Sequence, residues 1–175
     1  MKTITKPLLF VALSCVLMAA SCNKPDFPSP DPFLTLDNQM VCKINGVEWK
    51  STEKGGGFYR QYNGHEYIYL GFGSGWQSIN IFINQPYDKP FYIFNTSTHP
   101  GNVYPKDYIS FRRWYPGLTP GELYVTNETD TGRVDIVLMD RELMRIKGKF
   151  FFTGKDMDTG EKIIITEGYF DFHYW

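Results

Sequence analysis

The stretch 104–115 carries Tyr104, Tyr108, Phe111, Trp114 and Tyr115 beside the adjacent pair Arg112 and Arg113. Flat Trp and Tyr faces with polar edges suit sugar rings, and a guanidinium stacks on an aromatic ring or grips a carboxylate. Tyr108, Arg112, Arg113, Trp114 and Tyr115 are therefore the expected ligand-binding set. The competing use of such residues is packing, since large aromatics in an all-β domain mostly fill its interior or cover one end. Catalytic chemistry finds less to work with. The run Gly73-Ser74-Gly75 is too short for a nucleophile elbow. His65, His99 and His173 form no short-spaced metal pair. Asp156-Met-Asp-Thr-Gly-Glu161 looks like half a calcium loop, but its glycine stands fifth rather than sixth, and strands flank it where helices belong. No metal and no cofactor is expected. Glu122, Asp135 and Glu167 leave open a carboxylate-dependent hydrolase, if two of them stand about 5–10 Å apart in a cleft. Cys42 has no histidine near it in sequence and reads as a small buried hydrophobe.

A second chemistry lies near the N-terminus. Lys2 and Lys6 precede the apolar run Leu8–Ala20, which has 13 residues. A basic head, an apolar run of about 7–15 residues and small residues after it describe an export signal; a spanning helix needs about 20. Ala19-Ala20-Ser21-Cys22 resembles a bacterial lipobox, with Ala19 where Leu is usual. That resemblance implies that the Cys22 thiol receives a diacylglycerol, that residues 1–21 are removed, and that the new amine is acylated. Cys15 is the rival, but cutting there leaves Val16-Leu17-Met18 as an apolar stub. Behind Cys22, Pro25, Pro28, Pro30 and Pro32 make an extended, semi-rigid tether. The expected organisation is a signal peptide over 1–21, a lipidated cysteine with a Pro-rich tether over 22–37, and one domain over 38–175.

Composition sets further bounds. Removal of Lys2 and Lys6 leaves 16 basic against 19 acidic side chains, a net charge of −3. That argues against nucleic acid as a partner, which needs a basic patch. With Cys15 removed and Cys22 acylated, Cys42 has no cysteine to pair with. A chain of this length buries a sufficient core without a disulfide. The 14 Phe, 12 Tyr and 4 Trp favour strands.

Alternation then places the strands. Asn45-Gly46 predicts a two-residue hairpin in which Ile44 faces Val47, Lys43 faces Glu48 and Cys42 faces Trp49. Cys42, Ile44, Val47 and Trp49 share the inward face of that hairpin. Ile79, Ile81 and Ile83 share one parity. Val134, Ile136 and Leu138 point inward, as do Met144, Ile146, Phe150 and Phe152. Ile164, Phe170, Phe172 and Tyr174 match them from the last strand. Gly148 and Gly168 lie on those inward faces, which predicts a bulge or close packing of another layer there. Residues 95–121 are the least regular part. About ten short strands and no helical period predict an all-β domain, an antiparallel β-sandwich or flattened barrel built from consecutive hairpins.

Lys43-Ile-Asn-Gly-Val-Glu-Trp-Lys50 resembles an opening motif of small uncharacterised outer-envelope lipoproteins of Gram-negative bacteria. Thr131-Gly-Arg-Val-Asp-Ile, Ile146-Lys-Gly-Lys-Phe-Phe-Phe-Thr and Ile165-Thr-Glu-Gly-Tyr-Phe-Asp-Phe resemble their endings. The resemblance implies anchor and fold and brings no catalytic residues with it. The expected protein is a non-enzymatic binding or interaction module. It is held at the outer membrane by acyl chains on Cys22, on either its periplasmic or its surface face. Its partner is a glycan, a peptide or an envelope protein; a hydrolase or a purely structural component is the alternative.

Overall fold

A computed structural model describes residues 36–53, 55–62, 64–87, 89–96 and 107–175. The expected signal, Cys22, the tether as far as residue 35, His99 and Tyr104 lie outside the described residues. The described chain is all-β. Its strands are β1 (Gln39–Ile44), β2 (Val47–Lys50), β3 (Gly56–Tyr62), β4 (His65–Ser74), β5 (Gln77–Asn84) and β6 (Phe91–Phe94), followed by β7 (Tyr108–Tyr115), β8 (Leu118–Val125), β9 (Gly132–Asp140), β10 (Arg145–Asp156) and β11 (Lys162–His173).

They form one antiparallel sheet in the order β2-β1-β11-β10-β8-β7-β5-β4-β3, with β9 between β10 and β6. Hairpins account for β1–β2, β3–β4, β4–β5, β7–β8, β9–β10 and β10–β11. Strands distant in sequence make the other pairings, β1–β11, β5–β7, β6–β9 and β8–β10. β10 is the branch point. Its residues 145–152 pair with β9, and Lys155 and Asp156 pair with β8. The sheet curls until its halves meet. The ring of Phe72 on β4 lies 5.5 Å from that of Phe172 and 6.5 Å from that of Phe170 on β11. At the far edge Tyr59 N donates to Trp175 O.

The enclosed core is built from Ile68, Leu70 and Phe72 of β4, Ile79, Ile81 and Ile83 of β5, Ile109 and Phe111 of β7, and Phe150, Phe152, Phe170 and Phe172 of β10 and β11. Burying each such side chain contributes about 1.5–3 kcal/mol. The first hairpin has the expected register, with positive φ at both Asn45 and Gly46. Cys42 is a buried free thiol, and burial pushes its pKa up to about 12. Gly148 and Gly168 fulfil the first half of their expectation, and the rings that crowd them are cross-strand neighbours rather than another layer. Each adjoins a register shift, and a Cβ at either would collide with a phenylalanine, Phe170 or Phe150 respectively.

Several inward assignments are corrected, each at a place where the ladder is interrupted. Ile164 is 54% exposed, while Ile163 and Ile165 are each 1% exposed. The cause is the bulge opposite Phe150 and Phe152, where Glu167 has a φ of 51°. It inserts a residue and exchanges the two faces of β11, so odd positions point inward before it and even positions after it. A shift opposite Lys147 and Gly148 likewise turns Leu138 outward. Met144 closes a turn in the left-handed region and is exposed. Val47 is 70% exposed at the hairpin tip; that tip is docked through Asn45, which bonds β11 at Ile164 with both its backbone and its side chain. The segment expected to be least regular contains β7 and the start of β8, a hairpin that turns at Pro116-Gly117 with one register shift between Arg113 and Tyr115.

Candidate functional site

Because β7 is a strand, the expected binding residues are divided between its two faces. Ile109 and Phe111 point into the core, and Arg113 follows them by parity. There the Arg113 guanidinium donates to Glu122 Oε2 at 3.2 Å and to Tyr115 Oη at 3.3 Å. Tyr115 Oη donates to Glu122 Oε1, and Tyr124 Oη donates to Glu122 Oε2, both at 3.0 Å. Arg113 and Tyr115 thus belong to a closed network at one end of the core. Burial, then the bond to Glu122, pushes the Tyr124 hydroxyl up to about 12.

Tyr108, Ser110, Arg112 and Trp114 take the outer face. Tyr108 is buried there, stacked on Phe82 of β5 at 5.4 Å and 3°. Phe82 stacks in turn on Tyr67 at 5.2 Å, and Phe58 of β3 stacks on Tyr69 of β4 at 5.3 Å. This row runs across β3, β4, β5 and β7, since Phe58 pairs with Tyr69, Tyr69 with Phe82, and Phe82 with Tyr108. It forms an aromatic layer outside the main core cluster. Trp114 and Arg112 remain accessible in part.

The next rows along the same face are small and polar. Gly56, Gly71, Asn80 and Ser110 are neighbours across the strands, and so are Gly73, Ser78 and Arg112. A groove of about 520 Å³ is lined by Gly56, Gly71, Asn80, Gly73 and Ser78 of these rows, within the size range of small-ligand sites; Ser110 and Arg112 are the next residues of the same rows on β7. Phe58, Tyr69 and Trp114 are among its walls; Asn80, Ser78 and Glu53 supply polar groups. The glycines hold this shape. The Tyr69 ring leans over Gly71, where a Cβ would stand 3.3 Å from it and 3.2 Å from Asn80 Oδ1. That lets Tyr69 Oη donate to Asn80 Oδ1 at 2.6 Å, while Asn80 Nδ2 donates to Ser78 Oγ at 3.3 Å. Burial raises the Tyr69 pKa, so the hydroxyl stays protonated as a donor. Glu53 lies over Gly73, with Oε2 3.0 Å from the place a Cβ would take. A row of aromatic flats beside fixed donors and acceptors can hold a ring that is apolar on its faces and hydroxylated at its rim.

Phe58, Tyr69, Asn80 and Glu53 were not anticipated. The available signal was the outward parity of β4, Tyr67-x-Tyr69-x-Gly71-x-Gly73, opposite Ser78 and Asn80.

The other candidates are placed as follows. Glu122, Asp135 and Glu167 lie on β8, β9 and β11, each ion-paired, with Arg113, Arg133 and Lys43 respectively. His65 opens β4 and His173 closes β11. Among the described residues no three His, Cys, Asp or Glu side chains gather as a metal site. In the 156–161 loop, Asp156 Oδ1 accepts from the backbone of Asp158 and Thr159 and from the Thr159 hydroxyl, and Oδ2 accepts from Leu123 N. That carboxylate is engaged in holding the turn against β8. The chain matches no protein-family model, no curated protein and no solved structure.

Proposed function

We propose that this protein is a non-enzymatic binding module that takes a glycan in the groove over β3, β4, β5 and β7, and that it is displayed at the outer membrane by lipid on Cys22. One arrangement carries the binding reading: the walls Phe58, Tyr69 and Trp114 stand beside the hydrogen-bonded row Tyr69–Asn80–Ser78. Aromatic flats remove the apolar faces of a sugar from water, and preset polar groups receive its hydroxyls without reorganising. The groove needs no catalytic group to do this. The anchor rests on the spacing of Lys2, Lys6, the Leu8–Ala20 run and Cys22.

Titration of the protein with envelope and host polysaccharide fragments tests the groove. Trp114→Ala is expected to weaken binding about tenfold, one aromatic contact being worth about 0.5–1.5 kcal/mol beyond its buried area, with an unchanged urea midpoint. Equal binding by the variant would remove the groove as the site. Metabolic labelling with a fatty-acid probe tests the anchor separately; label that persists in Cys22→Ala would refute it.

A further inference from the structure

The neighbours Arg112 and Arg113 have opposite situations. Arg113 is engaged by Glu122 and Tyr115 at a partly exposed end of the curl. Arg112 stands on the outer face and forms no ion pair among the described residues. Its contact is with an aromatic ring, its guanidinium carbon lying 5.6 Å from the centroid of Trp114. Three observations place this charge at the groove. Trp114, beneath it, is a groove wall. Ser78, its register partner on β5, lines the same groove. The hydroxyls of Tyr69 and Tyr108 both lie within its electrostatic reach.

Arg60, the other guanidinium on this face, also forms no ion pair among the described residues and lies 4.7 Å from the Phe58 centroid. Among the described residues, Glu53 is the one acidic side chain lining the groove. It lies over Gly73, which is across Ser78 from Arg112 in the same row. The row therefore has polarity, with a carboxylate at one end and, at the other, a guanidinium that has no carboxylate partner among the described residues. A guanidinium over an indole ring can still present its donor fork to a planar carboxylate.

We propose that the groove selects acidic saccharides, with Arg112 receiving the carboxylate of a uronic acid while Trp114 and Tyr69 take the sugar faces and Glu53 accepts hydroxyls at the opposite end. This rests on the glycan reading above and adds the class of sugar to it. Glu53 contributes to the selection by repelling a ligand bound in the reverse direction.

The test uses matched probes, oligogalacturonate hexamers and the same hexamers after carboxyl reduction to neutral galactose, titrated calorimetrically into the full chain. The native protein is expected to bind the acidic hexamer roughly tenfold or more tighter than the neutral one, as one charge-assisted bidentate contact allows. Arg112→Gln is expected to abolish that preference by weakening the acidic hexamer far more than the neutral one, and Arg112→Lys to keep part of it. Urea midpoints of both variants check that the fold is retained. Equal affinity of the native protein for the two probes would overturn the proposal, and so would a preference that survives Arg112→Gln. Should neutral glycans bind and respond to Trp114→Ala while uronates do not, the acidic specificity falls and the glycan groove stands. Should Trp114→Ala leave every affinity unchanged, both fall.

Discussion

On the outer face of β1, β11, β10 and β9, cations meet carboxylates. Lys43 meets Glu167, Arg145 and Lys147 meet Asp171, and Arg133 meets Asp135. Cations lie over rings on both faces, Arg133 over Phe91 and Lys149 over Tyr169 among them; on the outer face of β3, β4, β5 and β7, Arg60 and Arg112 lie over rings with no carboxylate partner among the described residues. Both faces belong to one curled sheet and cover one core, so the difference does not come from the fold. Cross-strand ion pairs specify register and keep an exposed face solvated. Aromatic flats and guanidiniums without a carboxylate partner among the described residues add nothing comparable to register. One face is spent on the sheet itself; the other is the face on which the proposed site lies.

Breaking the ion-paired face should have the largest effect. Asp171 is 0% exposed, and its carboxylate accepts from Arg145 at 2.8 and 2.6 Å and stands 3.0 Å from Lys147. Asp171→Ala leaves two cations crowded without their acceptor and is expected to cost about 3–5 kcal/mol in urea unfolding. An equally large loss from substituting Arg112 would erase the distinction between the faces.

Acid should act on the same region. Burial pushes Asp171 up, but the bonds from Arg145 and Lys147 outweigh it and the net pKa is lowered. In Asp130 the Lys162 bond lowers it, and in Asp156 the bonds from Thr159, Leu123 and Asp158 outweigh burial. Unfolded aspartates titrate near about 3.9. The stabilisation from these three is therefore complete above that value and is lost as pH falls through their lower folded values. Asp107, raised by burial, opposes the trend. The urea midpoint should fall from pH 5 toward pH 2, and Asp171→Ala should flatten that fall; a midpoint indifferent to acid would contradict the account.

The smallest and sharpest test compares two adjacent residues. Arg113→Gln strips Glu122 of its cation at a partly buried site and should cost about 1 kcal/mol. Arg112→Gln should change stability by no more than about 0.5 kcal/mol. Paired urea curves decide it, and the reverse order would place the structural arginine on the wrong face.

Much of this was legible in the residues. The Asn45-Gly46 turn, the register of Cys42 on Trp49 and the isoleucine stripe of β5 follow from a period of two and one turn type. The bulges beside Gly148 and Gly168 were legible as well. The faces of Ile164, Leu138 and Met144 were not, because a bulge or a left-handed residue exchanges inside and outside without disturbing the alternation on either side. The groove was half legible. Trp114 and Arg112 were singled out by type, but their association with Tyr69, Asn80 and Glu53 depends on β7 pairing with β5 across an intervening strand.

By itself the amino-acid order determined the class of fold, the local hairpins and the buried state of Cys42, because these depend on residues close together along the chain. Only the tertiary structure decided that Arg113 meets a carboxylate while Arg112, among the described residues, does not, and that a hairpin enters the stretch expected to be irregular. Alternation states that two neighbours on a strand face opposite ways. It does not state which way is inward, and that is settled by the partner strands, which arrive from tens of residues away.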